Sequence, residues 1–225
     1  MKIGILGTGR VAKAIGGKLS DRGHEIYLGS RDVERTRSDA TTGPLFDSWH
    51  RLHTCVKLTT LEEAAAQGEL VVNATDGTGS LAALRTAGKE NLGSKVLIDI
   101  ANPLDWTHGT PPSLTVCNTD SLGEQIQRAF PDVKVVKALN TVHHPIMVSP
   151  PLVGRGDHTT FLSGNDGGAK ATVAELLRCE FGWRDIVDLG DITTARATEM
   201  VLLLWAQLSI SLKTPMFNLK VIREI

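Results

Sequence analysis

Residues 2–31 read KIGILGTGRVAKAIGGKLSDRGHEIYLGSR, and the fold follows from this stretch. The apolar run Ile3 to Leu6 predicts a buried strand. It runs straight into Gly7-Thr8-Gly9-Arg10-Val11-Ala12, a G-x-G-x-x-A turn. Apolar residues at Val11, Ala14, Ile15 and Leu19 then keep helical spacing, Gly23 closes the helix, and Glu25–Leu28 predicts a second strand. In such a unit Gly7 makes the tight turn, Gly9 lets a pyrophosphate approach the backbone, and the small Ala12 seats the helix on the strand. The helix N-terminus offers free N–H groups and a positive dipole end to the phosphates. A dinucleotide-binding βαβ unit is therefore expected.

The end of the second strand indicates which dinucleotide. An NAD site usually carries Asp or Glu there to bind the ribose hydroxyls. This chain has Gly29-Ser30-Arg31 instead. A carboxylate would repel a 2′-phosphate, whereas a hydroxyl and a guanidinium would bind it. NADP is the expected cofactor, with Ser30 and Arg31 on the 2′-phosphate and Arg10 and Arg35 as helpers. Asp32 can point either to solvent or to a ribose.

The chain has 225 residues, 41% hydrophobic, with a formal net charge of −1. That length supports one large domain, or one domain with a small appendage, and the near-neutral balance argues against a nucleic-acid partner. Cys55, Cys117 and Cys179 form no C-x-x-C pair and are expected to be reduced packing residues of an intracellular, cytoplasmic protein. Met1 leads directly into core sequence, and the longest apolar run, Met200–Leu204, is too short for a membrane span. His50 and His53 lack a third ligand, so no metal site is expected.

Further strands are predicted at Cys55–Leu58, Leu70–Ala74, Lys95–Ile100, Val133–Ala138, Thr159–Ser163 and Ile186–Leu189. Helices fall at Leu61–Gln67, Leu81–Lys89, Ser121–Phe130, Ala169–Glu180 and Thr194–Leu212. Residues 34–53 read as polar and irregular with a break at Gly43-Pro44, and 104–119 as a loop. The alternation specifies an α/β fold: a doubly wound, mostly parallel sheet of the NADP-binding Rossmann type with a C-terminal helical extension. Residues 1–190 would form the dinucleotide-binding domain and 191–225 a helix and tail packed on it or on a second subunit.

In such a sheet ligands lie outside the carboxyl ends of the strands. That rule selects the loop ends Gly7–Ala12, Gly29–Arg31, Ala74–Gly79, Ala101–Pro103 and Asn140–His144, where the small Ala74, Thr75 and Gly77 would let the dinucleotide pass close to backbone and Asn102 and Asn140 suit a ribose or carboxamide, or simply turn chemistry. It also selects His143 and His144 as candidate acid or substrate-binding residues. Because Pro145 follows, the two histidines are expected in an extended loop, pointing to opposite sides, with at most one facing the cleft.

These motifs resemble the F420-dependent NADP oxidoreductases (NADPH-dependent F420 reductases) and, more distantly, the reductase domain of the STEAP ferric reductases. The resemblance rests on GTGRVA at 7–12, GSRD at 29–32, DIANPLD at 99–105, VVKALNTV at 135–142, DLGDITTARATEM at 188–200 and TPMFNLKVIR at 214–223. It implies that Thr8, Gly9, Arg10 and Val11 wrap the pyrophosphate, that Ser30 and Arg31 hold the 2′-phosphate, and that Ala74 and Thr75 line the ribose side. Asn102, Asn140 and Thr141 would sit near the nicotinamide. It further implies hydride exchange with a deazaflavin (F420) or a flavin such as FMN or FAD. Residues 75–79 read TDGTG, less bulky and less apolar than the segment many F420-using members carry.

Two other readings compete. A reductase of small ketones or imines would need a catalytic Lys or acid on the long helix, which offers Arg196 and Glu199 but no Lys; a ferric chelate is a further candidate acceptor. The other reading is a non-catalytic NADPH-binding protein. The stretch 200–208 is apolar almost all round, so both sides of that helix need cover. A homodimer is expected, with fold-back of residues 214–225 as the alternative.

Overall fold

The computed structural model describes residues 1–38 and 46–224. Strand β1 (Lys2–Leu6), helix α1 (Arg10–Asp21) and β2 (Glu25–Ser30) form the opening unit. Two short helices, α2 (Val33–Ser38) and α3 (Phe46–His50), lead to β3 (Val56–Thr60). Next come α4 (Leu61–Gln67), β4 (Leu70–Asn73), α5 (Ser80–Ala87), α6 (Lys89–Leu92) and β5 (Val96–Asp99). A two-rung ribbon, β6 (Leu104–Asp105) and β7 (Ser113–Leu114), precedes α7 (Leu122–Ala129) and β8 (Lys134–Ala138). The chain ends with α8 (His144–Val148), β9 (Thr159–Ser163), α9 (Gly167–Leu176), β10 (Asp185–Asp188), α10 (Ala195–Leu212) and a tail. Segment 34–53 thus holds two helices where irregular chain was expected, and the third strand starts one residue later and runs two further. The expected break at Gly43-Pro44 lies outside the described residues.

The main sheet has the order β10-β9-β8-β5-β4-β1-β2-β3. From β3 to β8 all neighbours run parallel, and the order reverses between β1 and β4. That reversal opens the crevice of a doubly wound sheet. The β8–β9 pair is antiparallel, and β10 runs parallel to β9. The reason lies in the connection. After β8 the chain makes α8 and two single turns at 150–152 and 154–156. No helix crosses the sheet between these strands, so β9 re-enters from the end where β8 left.

Side-chain alternation divides the core. Ile3, Ile5, Ile26, Leu28, Val72, Ile98 and Val136 face α1, α8 and α9. Leu6, Tyr27, Val71, Leu97 and Val135 face α4 to α7 and the start of α10. Helix α4 approaches unusually closely, because a Cβ on Gly4 would run into the Ala64 carbonyl oxygen. Its N-terminus is fixed by Thr60, whose hydroxyl accepts the Glu63 N–H.

One polar rung crosses this second face. Asn73, Asp99 and Lys137 are register partners on the neighbouring strands β4, β5 and β8, and each is almost fully buried. Asn73 Nδ2 donates to Asp99 Oδ1 at 2.8 Å, and Lys137 Nζ donates to Asp99 Oδ2 at 2.6 Å and to the Ala101 carbonyl at 2.7 Å. From α10, Glu199 Oε1 lies 2.8 Å from Lys137 Nζ, and its carboxylate accepts the Leu122 and Gly123 N–H groups that open α7. Burial pushes the Lys137 ammonium down, but Asp99 and Glu199 more than offset this and hold it above its ordinary value.

On α10 the buried positions are Ala195, Thr198, Glu199, Leu202 and Ala206, a single helical stripe. The expectation that this helix is covered on both sides holds only in part. Trp205 stacks on Phe217 of the tail, while Leu203, Leu204, Ile210 and Leu212 are exposed. The three cysteines are free and exposed, where packing positions were expected. Among the described residues no helix is long and apolar enough to cross a membrane.

Lys137→Ala is expected to destabilise the fold by about 3–5 kcal/mol, since it strands two buried carboxylates without a counter-charge. Urea unfolding of the variant beside the parent protein measures this, and a loss below about 1 kcal/mol would contradict it.

Candidate functional site

A cleft of about 800 Å³ opens at the carboxyl ends of β1, β2 and β4. Gly7, Thr8 and Gly9 form its floor, Ser30, Arg31 and Arg35 one end, and Ala74 to Asp76 the opposite wall. Gly7 has φ +116°, where a side chain would be strained, and a Cβ on Gly9 would meet nothing within 4 Å. Gly9 is the N-cap of α1, with no side-chain cap and no acidic residue in the first turn. The helix therefore presents its unpaired N–H groups to open space. Ala12 is fully buried beneath this turn.

At the far end, neither the Arg31 nor the Arg35 guanidinium is ion-paired among the described residues. Ser30 is engaged locally: its hydroxyl contacts the Asp32 carbonyl at 2.9 Å and Thr36 Oγ1 at 2.7 Å. Asp32 is an N-terminal cap, its Oδ1 accepting the Arg35 N–H at 2.9 Å, so its carboxylate turns back on α2. Thr75 Oγ1 donates to Asn73 Oδ1 at 2.6 Å, which ties the cleft wall to the buried rung. Asp76 and Thr78 also line the cleft; they belong to the loop 74–79 that the strand-end rule selects, though neither was singled out as a binding residue.

A second, smaller cavity of about 160 Å³ adjoins α1, α8 and α10. It is lined by Val11, Ile100, Asn102, Asn140, Thr141 and His143, and further by His144, Met147, Leu202 and Trp205. The two asparagines hold one another: Asn102 Nδ2 donates to the Asn140 carbonyl at 2.8 Å, and Asn140 Nδ2 to Asn102 Oδ1 at 3.0 Å. Arg10 lines neither cavity.

The histidines depart from expectation. His143 is the N-cap of α8, and His144 opens that helix with Pro145 in its first turn, where proline is favourable. The helical turn puts both rings on one side, 4.5 Å apart, and both line the same cavity. Burial and the nearby Arg10 charge lower His143. Burial, His143 and Arg10 bring His144 down to about 4. Both imidazoles are therefore neutral at pH 7.

Sequence reasoning missed Asn73, Asp99 and Lys137, took Glu199 only as a candidate catalytic acid, and took Trp205 as part of the apolar helix face expected at a subunit interface rather than as a wall of the small cavity. For the strand residues a signal existed. VVN and LID each end an apolar strand on one polar residue, and VVKA carries Lys137 one residue before its strand ends; the three are register partners.

Fold and clefts together define an NADP-dependent oxidoreductase, and the comparisons agree. A family model described as NADP oxidoreductase coenzyme F420-dependent matches residues 2–103. A solved Arthrobacter sp. FB24 structure, provisionally assigned as an F420-dependent NADP-reductase, is 52% identical, covering 99% of this chain and 100% of that one, with a TM-score of 0.94. The F420-dependent NADP reductase of Methanothermobacter marburgensis is 28% identical over 214 residues, 93% of each chain. Metalloreductase STEAP3 of Rattus norvegicus is 28% identical over 89% of this chain, which spans only 36% of that protein. The chain belongs to the F420-dependent NADP oxidoreductase family.

Because the folded protein holds His144 neutral, the unfolded chain binds more protons between about pH 6.5 and 4. Stability should fall as pH drops through that window and His144→Asn should flatten the slope. Urea unfolding at several pH values, with ring-proton NMR titration, checks this; a His144 midpoint near 6.5 would refute it.

Proposed function

We propose that the large cleft binds NADPH and the small cavity receives a planar hydride acceptor, with the deazaflavin F420 as the acceptor class. The observation that carries the reading is the arrangement of the two spaces on the α1 turn. An uncapped helix N-terminus and two arginines without an ion-pair partner among the described residues lie on one side, and a small, largely apolar cavity with paired asparagines on the other. In this reading Gly7, Thr8 and Gly9 and the N–H groups of α1 hold the pyrophosphate, and Ala12 lets the helix sit close beneath it. Arg31 and Arg35 hold the 2′-phosphate, with Ser30 shaping the turn that presents them. Ala74 and Thr75 line the ribose side, and Asn102, Asn140 and Thr141 face the nicotinamide end beside Val11.

The nicotinamide supplies a hydride, so the chain contributes distance, orientation and exclusion of water. Neutral His143 and His144 can donate or accept hydrogen bonds to the acceptor, but neither offers an imidazolium as general acid at pH 7. The competing ketone or imine chemistry would need a free acid or lysine on α10. Glu199 is bound to Lys137 and the α7 N-terminus, and Arg196 is paired with Glu124. The exposed apolar face of α10, with Leu203, Leu204 and Ile210, supports a homodimer through that helix.

The test is NADPH oxidation against F420, FMN, FAD, a ferric chelate and small imines, followed by loss of NADPH absorbance. F420 turnover is expected. Arg31→Ala should weaken NADPH binding by about 1.5–3 kcal/mol and leave NADH nearly unchanged, the loss of a charged hydrogen bond. Equal NADPH and NADH affinities in the parent protein would overturn the 2′-phosphate assignment. Light scattering that gives the monomer mass at micromolar concentration would overturn the dimer.

A further inference from the structure

Trp205 lines the small cavity, and its indole has two aromatic neighbours. His143 lies with its centroid 6.3 Å away and its plane tilted by 31°, and Phe217 stacks on the indole at 5.7 Å and 27°. Phe217 belongs to neither the sheet nor its covering helices. It comes from the tail, which reverses after α10 through Lys213 in the left-handed region (φ 54°) and a turn in which Thr214 Oγ1 accepts the Met216 N–H.

The tail is anchored immediately beyond Phe217. Asn218 Nδ2 lies 2.8 Å from His158 Nδ1 and donates to the Thr159 carbonyl at 3.0 Å. His158 is itself buried, its Nε2 2.9 Å from the Pro150 carbonyl and its ring edge-on to Trp183. Thr159 N–H donates to the Leu219 carbonyl at 2.9 Å, and Val221 N–H to Thr159 Oγ1 at 3.0 Å. Ion pairs from Lys220 to Asp157 and from Arg223 to Asp185 follow. So many fixed bonds give the Phe217 ring one place to stand, and a stacked partner restrains the rotation of Trp205. The Trp205 Nε1–H is buried and meets no acceptor among the described residues. An unsatisfied buried donor carries a desolvation cost, which fits a side chain held in place by its ring contacts rather than by a hydrogen bond.

We infer that Phe217 is a positioning residue for the hydride acceptor: it holds the Trp205 indole against His143 and thereby sets which planar heteroaromatic ring the small cavity admits. In a space of about 160 Å³, freeing one wall changes the fit at once. The inference rests on the reading of that cavity as the acceptor site.

The test uses the full chain with NADPH and F420. Phe217→Leu keeps an apolar side chain at the tail anchor but removes the ring. It should raise KM for F420 about tenfold, lower kcat by less than threefold and leave NADPH affinity within twofold. Phe217→Tyr should restore the parent KM, which mere packing of the tail would not require. An independent readout is indole emission corrected by a Trp205→Phe background, which should shift to the red in Phe217→Leu whether or not F420 is turned over. An unchanged Trp205 emission would overturn the inference. So would an unchanged F420 KM in Phe217→Leu while Trp205→Leu raises it, and that result leaves the acceptor site standing. If F420 is not turned over, or Trp205→Leu also leaves its KM unmoved, the acceptor reading itself fails and the inference with it. Asn218→Ala, which frees the tail but keeps the ring, should move KM in the same direction, and it serves if Phe217→Leu does not fold.

Discussion

The buried rung of Asn73, Asp99 and Lys137, closed by Glu199, is the interaction on which the site depends. Two carboxylates and one ammonium in the interior are costly to desolvate, and the cost is offset only while every partner is in place. Lys137 meets both carboxylates and the Ala101 carbonyl, and Glu199 also accepts two N–H groups at the start of α7. The arrangement is therefore all or nothing. It aligns the carboxyl ends of β4, β5 and β8, and through Glu199 it pins α10 to the sheet about one helical turn before Leu202, which lines the small cavity.

From that rung the order passes outward in two directions. Through Asn73 it reaches Thr75 and Ser80, and so the wall of the large cleft. Through Ala101 it reaches Asn102, whose side chain crosses to Asn140. Both cavities are thus framed by the same buried charges. Groups meant to orient a cofactor gain most when their own supports are rigid, because misplacement of about 1 Å can cost on the order of a hundredfold in rate.

The two cavities are built from different materials. The large cleft is built around a glycine turn and the uncapped N-terminus of α1, with small and polar residues such as Ala74, Thr75, Asp76 and Thr78 and the two arginines along its walls. The small cavity is side chain, with imidazoles, an indole, Leu202 and Met147, and its outer wall leans on the tail. Backbone sites are fixed by the fold, whereas side-chain walls can be repacked.

Much of this was legible in the sequence because its signals are local. The G-x-G-x-x-A turn, the apolar strand runs and the absence of a strand-end carboxylate lie within thirty residues, and the positive φ at Gly7 follows from glycine chemistry alone. What only tertiary structure decided is non-local. Whether β9 runs parallel or antiparallel depends on where the 139–158 connection packs. Whether Lys137 is a buried ion or a strand-end solvent group depends on Asp99, 38 residues away, and on Glu199 beyond it. That both histidines face one cavity depended on α8 beginning at His144, an outcome the proline rule disfavoured and α8's packing in the core produced. The tail's role was likewise undecidable from its residues, since Phe217 acquires a partner only when His158 and Thr159 hold its neighbours. Local rules report what the backbone does with its nearest residues. Which distant side chains meet is set by the packing of the whole sheet.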